Sequence, residues 1–398
     1  MGALRSRHVV LRHLSFAGKV VILDEIHSNT AYMNVYMETM LSWLGAYHAP
    51  VIMLSATLPQ SRREAFLKAY RQGALAENAI ADSGGVGDDA YSNDSYDLDD
   101  LDDLEDLEEA DEVVTPAADM NARGEISQSA NSMMVETNAE ISDESKLDYR
   151  YPLISTSSAL VEPASKTSEV SGRTTAIATG VIDDDDETLI ALLTDKLRDG
   201  GCAVVIRNTV SRAQHAFDVL SEAFDIDVIL DHSRFIACDR ASIDRDLISR
   251  FGKDGSAEDR NAIVVATQVV EQSLDVDFDV MVSDIAPIDL MLQRAGRLHR
   301  HRRGDNEMER PNPVRQAQLY IAGIQEWRDD GAPVFDGGCE KIYTRFQLLR
   351  SLSVLDLCNR GSHTVVTVPD DIPRLVQPAY AHIPLGPDSW QDDLAKAE

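Results

Sequence analysis

The apolar run Val20-Val21-Ile22-Leu23, followed at once by Asp24 and Glu25 and then by His27, constrains this chain more than any other feature. Four successive aliphatic residues read as a strand buried on both faces, the pattern of a parallel α/β sheet, and such sheets place nucleotide chemistry at the carboxyl ends of their strands. The pattern recurs at Val51-Ile52-Met53-Leu54, which runs into Ser55, Ala56 and Thr57. Far downstream, Gln293-Arg294-Ala295-Gly296-Arg297-Leu298-His299-Arg300 supplies guanidinium groups. Acid pair, hydroxyl pair and arginine row are the parts needed to hydrolyse a nucleoside triphosphate between two lobes.

Each part has a role by residue type. Phosphoryl transfer to water requires a metal near the phosphates, a group to orient the water and positive charge on the transition state. Asp24 suits magnesium, Glu25 suits the water, and His27 can link the nucleotide to nearby hydroxyls. Ser55 and Thr57 are also suited to capping a helix that starts near Pro59. Arg297 and Arg300 stand three apart on an expected helix and so share a face, while Gly296 permits close backbone approach. Arg294, His301, Arg302 and Arg303 read equally well as residues that keep that helix soluble. Candidates for nucleic-acid contact recur at later strand ends: Arg207, Asn208 and Thr209, then His232, Ser233 and Arg234, then Thr267 and Gln272, all suited to binding phosphates without reading sequence.

Strand and helix alternate over residues 19–75, with Gly45 expected to stop the first helix, and again over 148–324. A chain of 398 residues accommodates two or three domains. Its charge of −31 would oppose nucleic-acid binding if evenly spread, but residues 76–147 hold 22 acidic residues against Arg123 and Lys146. That tract, net −20, is expected to be disordered. Its repeats around Leu98, Leu101, Leu104 and Leu107 could form a transient helix or mimic DNA. Cys202, Cys238, Cys339 and Cys358 lack metal-ligand spacing and read as reduced thiols, and no apolar run is long enough for a signal or a membrane span, so a cytoplasmic protein without membrane contact is expected.

One part is missing. No G-x-x-x-x-G-K-[ST] occurs, and in the nearest candidate, Gly18-Lys19, His13 occupies the first glycine position and Val20 follows the lysine. With 23 residues before Asp24, the first lobe is expected to be amino-terminally truncated, as a fragment or one half of a split protein.

The motifs together resemble superfamily 2 helicases, and more closely the CRISPR-associated helicase-nucleases of type I interference systems. The resemblance is carried by DEIH at 24–27, LSATLP at 54–59, VVIRNTV at 204–210, LDHSRF at 230–235 with Cys238-Asp239-Arg240, VVATQVVEQSLDVDFD at 264–279 and APIDLMLQRAGRLHRH at 286–301. It implies an ATP- and Mg2+-dependent motor of 3′-to-5′ polarity. Such a motor is recruited to an RNA-guided surveillance complex, where it draws in the displaced single strand of DNA for degradation. Asp24 and Glu25 would form its second motif, Ser55 and Thr57 its third, and Gln293, Arg297 and Arg300 its sixth. Asp275 would sense nucleotide and Thr267 would touch the strand. The metal-dependent HD nuclease that usually precedes the helicase is not represented, since no His-Asp dipeptide occurs.

The expected fold is α/β: tandem RecA-like parallel-sheet lobes, the first incomplete (1–75), an acidic disordered insert (76–147), the second lobe (148–324) and a small accessory region (325–398). The expected function is a DNA helicase segment, inactive without the missing half and nuclease, which a longer product or a separate chain would supply. The alternatives are a non-catalytic remnant that binds DNA or the surveillance complex, and an RNA helicase of the same superfamily.

Overall fold

Val- and Ile-rich runs separated by helical stretches become a mixed α/β structure, and the computed structural model describes residues 16, 18–26, 31–82, 143–170, 172–271 and 274–398. The chain opens with β1 (Val21–Leu23), α1 (Ala31–Ala46), β2 (Val51–Met53) and α2 (Gln60–Asp82). β1 and β2 pair in parallel, Val21 opposite Val51 and Leu23 opposite Met53. Ile26, Leu41, Phe66 and Ala69 form a core between this pair and its helices. The expected cover on both faces is not found: Val20, Ile22, Ile52 and Leu54 are 58, 62, 48 and 47 % exposed, because among the described residues nothing packs there.

Gly45 does not stop α1. A Cβ there would sit 2.0 Å from the carbonyl oxygen of Tyr70, and one at Gly73 would sit 1.8 Å from that of Ser42, so the two glycines let α1 and α2 cross closely. α2 runs on to Asp82, past the expected start of the insert at residue 76. The acidic repeats around Leu98–Leu107 lie outside the described residues.

The next strands, β3 (Leu153–Thr156) and β4 (Ala164–Thr167), form an antiparallel two-stranded sheet separate from both the β1–β2 pair and the seven-stranded sheet that follows. It was expected to begin the second lobe, yet it is tied to α2. Arg63 Nη2 lies 3.0 Å from Asp148 Oδ2, Asp148 N–H donates to Gln60 Oε1, and Arg71 pairs with Glu162.

The second lobe continues with β5 (Thr175–Val181), α3 (Asp186–Leu197), β6 (Cys202–Ile206), α4 (Val210–Ala223), β7 (Asp227–Asp231), α5 (Ala237–Phe251), β8 (Ala262–Ala266), β9 (Val280–Asp284), α6 (Ile288–Ala295) and β10 (Ala317–Ala322). Then follow β11 (Ile324–Glu326), β12 (Val334–Phe335), α7 (Cys339–Ile342), α8 (Arg345–Val354), β13 (His363–Val368), α9 (Ile372–Ala379) and α10 (Gln391–Ala397). Seven strands make one sheet in the order β13-β5-β10-β9-β6-β8-β7, parallel except for the antiparallel edge strand β13. β6, β8 and β9 are buried at every position, as central strands covered on both faces must be.

Residues past 325 are therefore not a separate accessory region. β13 extends the sheet, and Leu348, Leu349, Leu352, Leu375 and Trp390 share one core with Val204, Val264 and Met281. All four cysteines are free thiols, with Cys202 and Cys339 buried and Cys238 exposed. No helix among the described residues is long and apolar enough to cross a membrane.

At the amino-terminal edge of the sheet, Asp277 and Asp279 are buried beneath three arginines. Arg310 Nη2 lies 2.9 Å from Asp277 Oδ1 and Arg310 also pairs with Asp279; Arg260 Nη2 lies 2.6 Å from Asp279 Oδ1, and Arg303 Nε 3.0 Å from Asp277 Oδ2. Arg303, expected as a solubilising residue, is thus a buried clamp. Removing one partner of such a cluster leaves an uncompensated charge, so Arg310→Ala should cost about 3–5 kcal/mol in urea unfolding. Arg71→Ala, which loses only a pair to exposed Glu162, should cost less than about 1 kcal/mol. Equal effects of the two substitutions would show that the cluster does not hold the sheet edge together.

Candidate active site

Asp24 and Glu25 leave the carboxyl end of β1 in a sharp turn: Glu25 has φ +53°, and its N–H donates to Asp24 Oδ1 at 2.9 Å. Both side chains are exposed, at the edge where the sequence placed them. At the end of β2, Ser55 Oγ accepts from Thr57 N–H at 3.3 Å. Thr57 is buried, and its Oγ1 has no partner among the described residues. Neither hydroxyl caps α2. The first amide of that helix, Gln60 N–H, donates instead to Gln377 Oε1 of α9 at 2.8 Å. Gly18-Lys19 lies at the amino end of β1, the wrong edge for a phosphate loop.

The arginine row is not helical as expected. α6 ends at Ala295, Gly296 caps it with a bond from its N–H to Leu292 O, and Arg297 N–H turns back onto Arg294 O. A β-bridge from Leu298 to Phe278 and a positive φ at His299 fix the turn that follows. This turn, rather than a helix face, gathers the charges. Arg300 Nε donates to Asp275 Oδ1 at 2.6 Å, His301 Nε2 stands 3.2 Å from the same oxygen, and Arg297 Nη2 donates to Glu271 O at 2.7 Å. The bond from Arg300 holds the Asp275 carboxyl below its ordinary range, with His301 and Arg297 adding to the effect.

Burial first, and then the neighbouring Arg300, push Arg297 below the ordinary guanidinium value, while Glu25 heads the charges that oppose them. An acid of the first lobe therefore lies within electrostatic reach of the arginine row of the second. Two donors in that row, Gln293 Nε2 and Arg297 Nε, are buried without a hydrogen-bond partner among the described residues. Unpaired buried donors are costly, and a row of them beside carboxylates suits an anion carrying several acceptor oxygens. His27 and Gln272 lie outside the described residues.

Arg294 differs from its neighbours. It is fully buried, so the solubilising role does not apply: Nε donates to Glu271 Oε1 at 2.7 Å, Nη1 to Ser283 Oγ and Asp284 O, and Nη2 to Asn208 Oδ1. Sequence spacing alone could not separate it from Arg297; its place on the inward face of α6 was the available signal.

The strand ends proposed for nucleic acid divide into two groups. Arg207 and Asn208 are buried and engaged internally, Arg207 Nη1 at 2.8 Å from Asp284 Oδ1 and Asn208 Nδ2 donating to Ile285 O. Burial would raise the Asp284 carboxyl, but Arg207 and Arg212 outweigh it and bring it down to about 2. Both residues thus position the strand ends instead of reaching out from them. Thr209 caps α4 by accepting from Arg212 N–H. Ser233 and Arg234 are exposed, and His232 is buried against Phe235 with ring centroids 4.3 Å apart and Nδ1 unpartnered among the described residues. Thr267 is buried and donates its N–H to Asp231 O. Asp231 itself, which the sequence did not single out, is fully buried with both carboxylate oxygens unpartnered among the described residues, and burial with nearby Asp244 raises it to about 6.

Residues 199–303 match the family model for the C-terminal part of the CRISPR-associated nuclease/helicase Cas3. The chain is 32 % identical over 382 residues to the CRISPR-associated nuclease/helicase Cas3 of Streptococcus thermophilus, a match covering 96 % of this chain and 32 % of that protein. The crystal structure of T. fusca Cas3-ATP aligns with all of this chain and 38 % of its own, with TM-score 0.71 and 29 % identity. A CRISPR RNA-guided surveillance complex in its pre-nicking state contains a chain that aligns with 96 % of this one and 39 % of its own, with TM-score 0.68 and 29 % identity. The resemblance read from the motifs is borne out over nearly the whole chain, which spans about a third of the length of the curated relatives it matches.

Because Asp231 takes up its proton more readily when folded than when unfolded, the stability it contributes is present below about pH 4 and is lost as pH rises through about 6. Asp231→Asn should remove this dependence and be more stable than the parent at pH 8 by on the order of 1–3 kcal/mol, with the difference vanishing near pH 4. Parallel stability curves for the two proteins from pH 4 to 8 would show that Asp231 has a partner after all.

Proposed function

We propose that this chain, a relative of the helicase part of Cas3, is the motor segment of an ATP-driven DNA translocase acting in CRISPR interference. What supports this reading is that Gln293 Nε2 and Arg297 Nε are buried without a hydrogen-bond partner among the described residues, and that Glu25 heads the charges opposing the downward push on Arg297. A triphosphate seated there would meet carboxylates on one side and guanidiniums on the other. The donor set fits magnesium: Asp24 offers one exposed carboxylate at a strand end, and magnesium is commonly held by one or two carboxylates with the remainder from phosphate and water. When bound, the ion neutralises charge on the phosphates. Glu25 orients the attacking water, and Arg297 and Arg300 stabilise charge developing on the transferred group.

Arg300 must leave Asp275 to do this, so Asp275 holds the finger ready and makes its position depend on nucleotide. Ser233, Arg234 and Thr209 form the accessible part of the nucleic-acid edge, backed by Thr267, His232 and the positioning pair Arg207 and Asn208. No phosphate-binding loop occurs in the sequence, which favours a second reading for the chain by itself: binding of single-stranded DNA, or docking on the surveillance complex, without turnover.

Two measurements test these readings. Fluorescence anisotropy with single-stranded DNA should show salt-dependent binding, and Arg234→Ala should lower the slope of log affinity against log salt by about 1. Absence of DNA affinity at low salt would overturn both readings. In an ATPase assay with a phosphate-loop segment supplied, Arg297→Ala should lower turnover by about 10³–10⁵ with unchanged thermal unfolding. Turnover at the parental rate would remove Arg297 from the site.

A further inference from the structure

Beside the arginine turn, at the amino ends of β5 and β10, a further set of guanidiniums surrounds a cavity of about 310 Å³. Arg173, Arg302 and Arg315 line it, with Thr174, Gln316 and one carboxylate, that of Glu307. Arg297, Arg300 and Asp275 do not line it, so it is distinct from the site assigned to the triphosphate.

The charges there do not cancel. Glu307 Oε2 accepts from Arg310 Nε at 2.8 Å and from Arg303 N–H at 3.1 Å, so its charge is drawn into the buried cluster around Asp277 and Asp279. Arg173 Nη2 donates to His299 O at 3.1 Å and to Arg300 O, and Arg315 Nη2 lies 3.4 Å from Arg310 O. Neutral carbonyls orient these two guanidiniums without neutralising them. Arg302 is exposed and has no partner among the described residues. His299, the remaining titratable wall, adds no charge: burial, and then Arg310, hold its imidazole below the ordinary value. Three positive charges thus face one negative charge that is already engaged, an excess of two.

Like charges gathered at one cavity repel each other until an anion enters, and guanidiniums present their donors as planar forks suited to phosphate oxygens. The excess matches a phosphate dianion, which brings about two negative charges and three free acceptor oxygens. A carboxylate or a phosphodiester brings only one charge. The cavity holds roughly ten times the ~30 Å³ that a water molecule occupies in the liquid, so it admits a phosphate with part of the group attached to it.

We propose that Arg173, Arg302 and Arg315 form a second anion site, specific for a phosphate dianion, either free or as the terminal phosphate of a nucleotide or of a nucleic-acid strand. The site requires neither a bound triphosphate nor turnover, so it stands or falls apart from the motor reading. Its occupancy would be felt at the arginine turn through one contact: Arg173 holds the carbonyl of Arg300, whose side chain reaches Asp275.

Equilibrium dialysis of the full chain against radiolabelled inorganic phosphate, with ionic strength held constant by chloride, should find one phosphate per chain with a Kd on the order of 1 mM or below. Arg302→Gln and Arg315→Gln should each weaken binding at least about tenfold. Urea unfolding should be unchanged in both, since both side chains are exposed. Arg300→Gln should leave the phosphate affinity at the parental level. Competition separates the sources. Stronger displacement by AMP than by unlabelled phosphate assigns the site to a nucleotide, displacement by a 5′-phosphorylated single strand but not by its 5′-hydroxyl counterpart assigns it to a strand end, and displacement by unlabelled phosphate alone assigns it to the free ion. Equal displacement by the two strands would overturn the proposal, because phosphodiesters would then suffice. Absence of binding would also overturn it, as would parental affinity in the Arg302→Gln, Arg315→Gln double variant or loss of binding in Arg300→Gln alone.

Discussion

A guanidinium cut off from solvent organises the second lobe. Arg294 bonds to Glu271, Ser283, the carbonyl of Asp284 and Asn208, so it ties the end of β9, the residues after β8 and the residue after β6 to α6. Burying such a charge is costly unless every donor is matched, and the opposing charge of Glu271 and the neutral acceptors match it here. Glu271 is thereby fixed, and its carbonyl receives Arg297. Arg297 is thus positioned through the buried Arg294. Asn208 is held from the other side by Asp284, whose Oδ2 accepts its N–H at 2.9 Å. A residue that looks like a phosphate contact in the sequence is therefore a positioning member of this internal network.

The carboxyl-terminal region joins the two halves of the site. α9 caps α2 through Gln377 and meets α6 where the Tyr380 hydroxyl bonds to Asp289. Its carboxyl end is gathered by Arg350, which donates to the carbonyls of Pro378, Ala379, Ala381 and Ile383, satisfying acceptors that a helix end leaves bare. A movement of the Ser55–Thr57 segment with α2 would therefore be felt at the start of α6, the helix that leads into the arginine turn. The opposite edge of the sheet is held by the cluster around Asp277 and Asp279. Charged clusters at both edges leave the apolar strands between them to supply the core.

How much was legible depended on the kind of signal. Continuous aliphatic runs gave the parallel strands, and the residues after each run gave the strand ends at which Asp24, Glu25, Ser55 and Thr57 stand. Order along the chain sufficed for this within each sheet, because a parallel sheet brings successive strand ends to one edge. The same signal misled where burial mattered. Arg294, Arg297, Arg300 and Arg303 are alike in a string of letters, yet Arg294 and Arg303 are interior clamps while Arg297 and Arg300 lie in the turn after α6. Gly45 reads as a helix stop until α2 is seen to cross it.

The sequence by itself determined the strand and helix alternation and the residue types that stand at the strand ends, since each follows from local periodicity and from the geometry of parallel strands. Tertiary structure alone decided which arginines lie buried, that β13 and α8–α10 complete the second lobe, and that the β3–β4 hairpin is tied to α2. Those outcomes depend on which surfaces meet and which polar groups find partners once solvent is excluded, and contacts between residues far apart in the chain leave no local pattern to read.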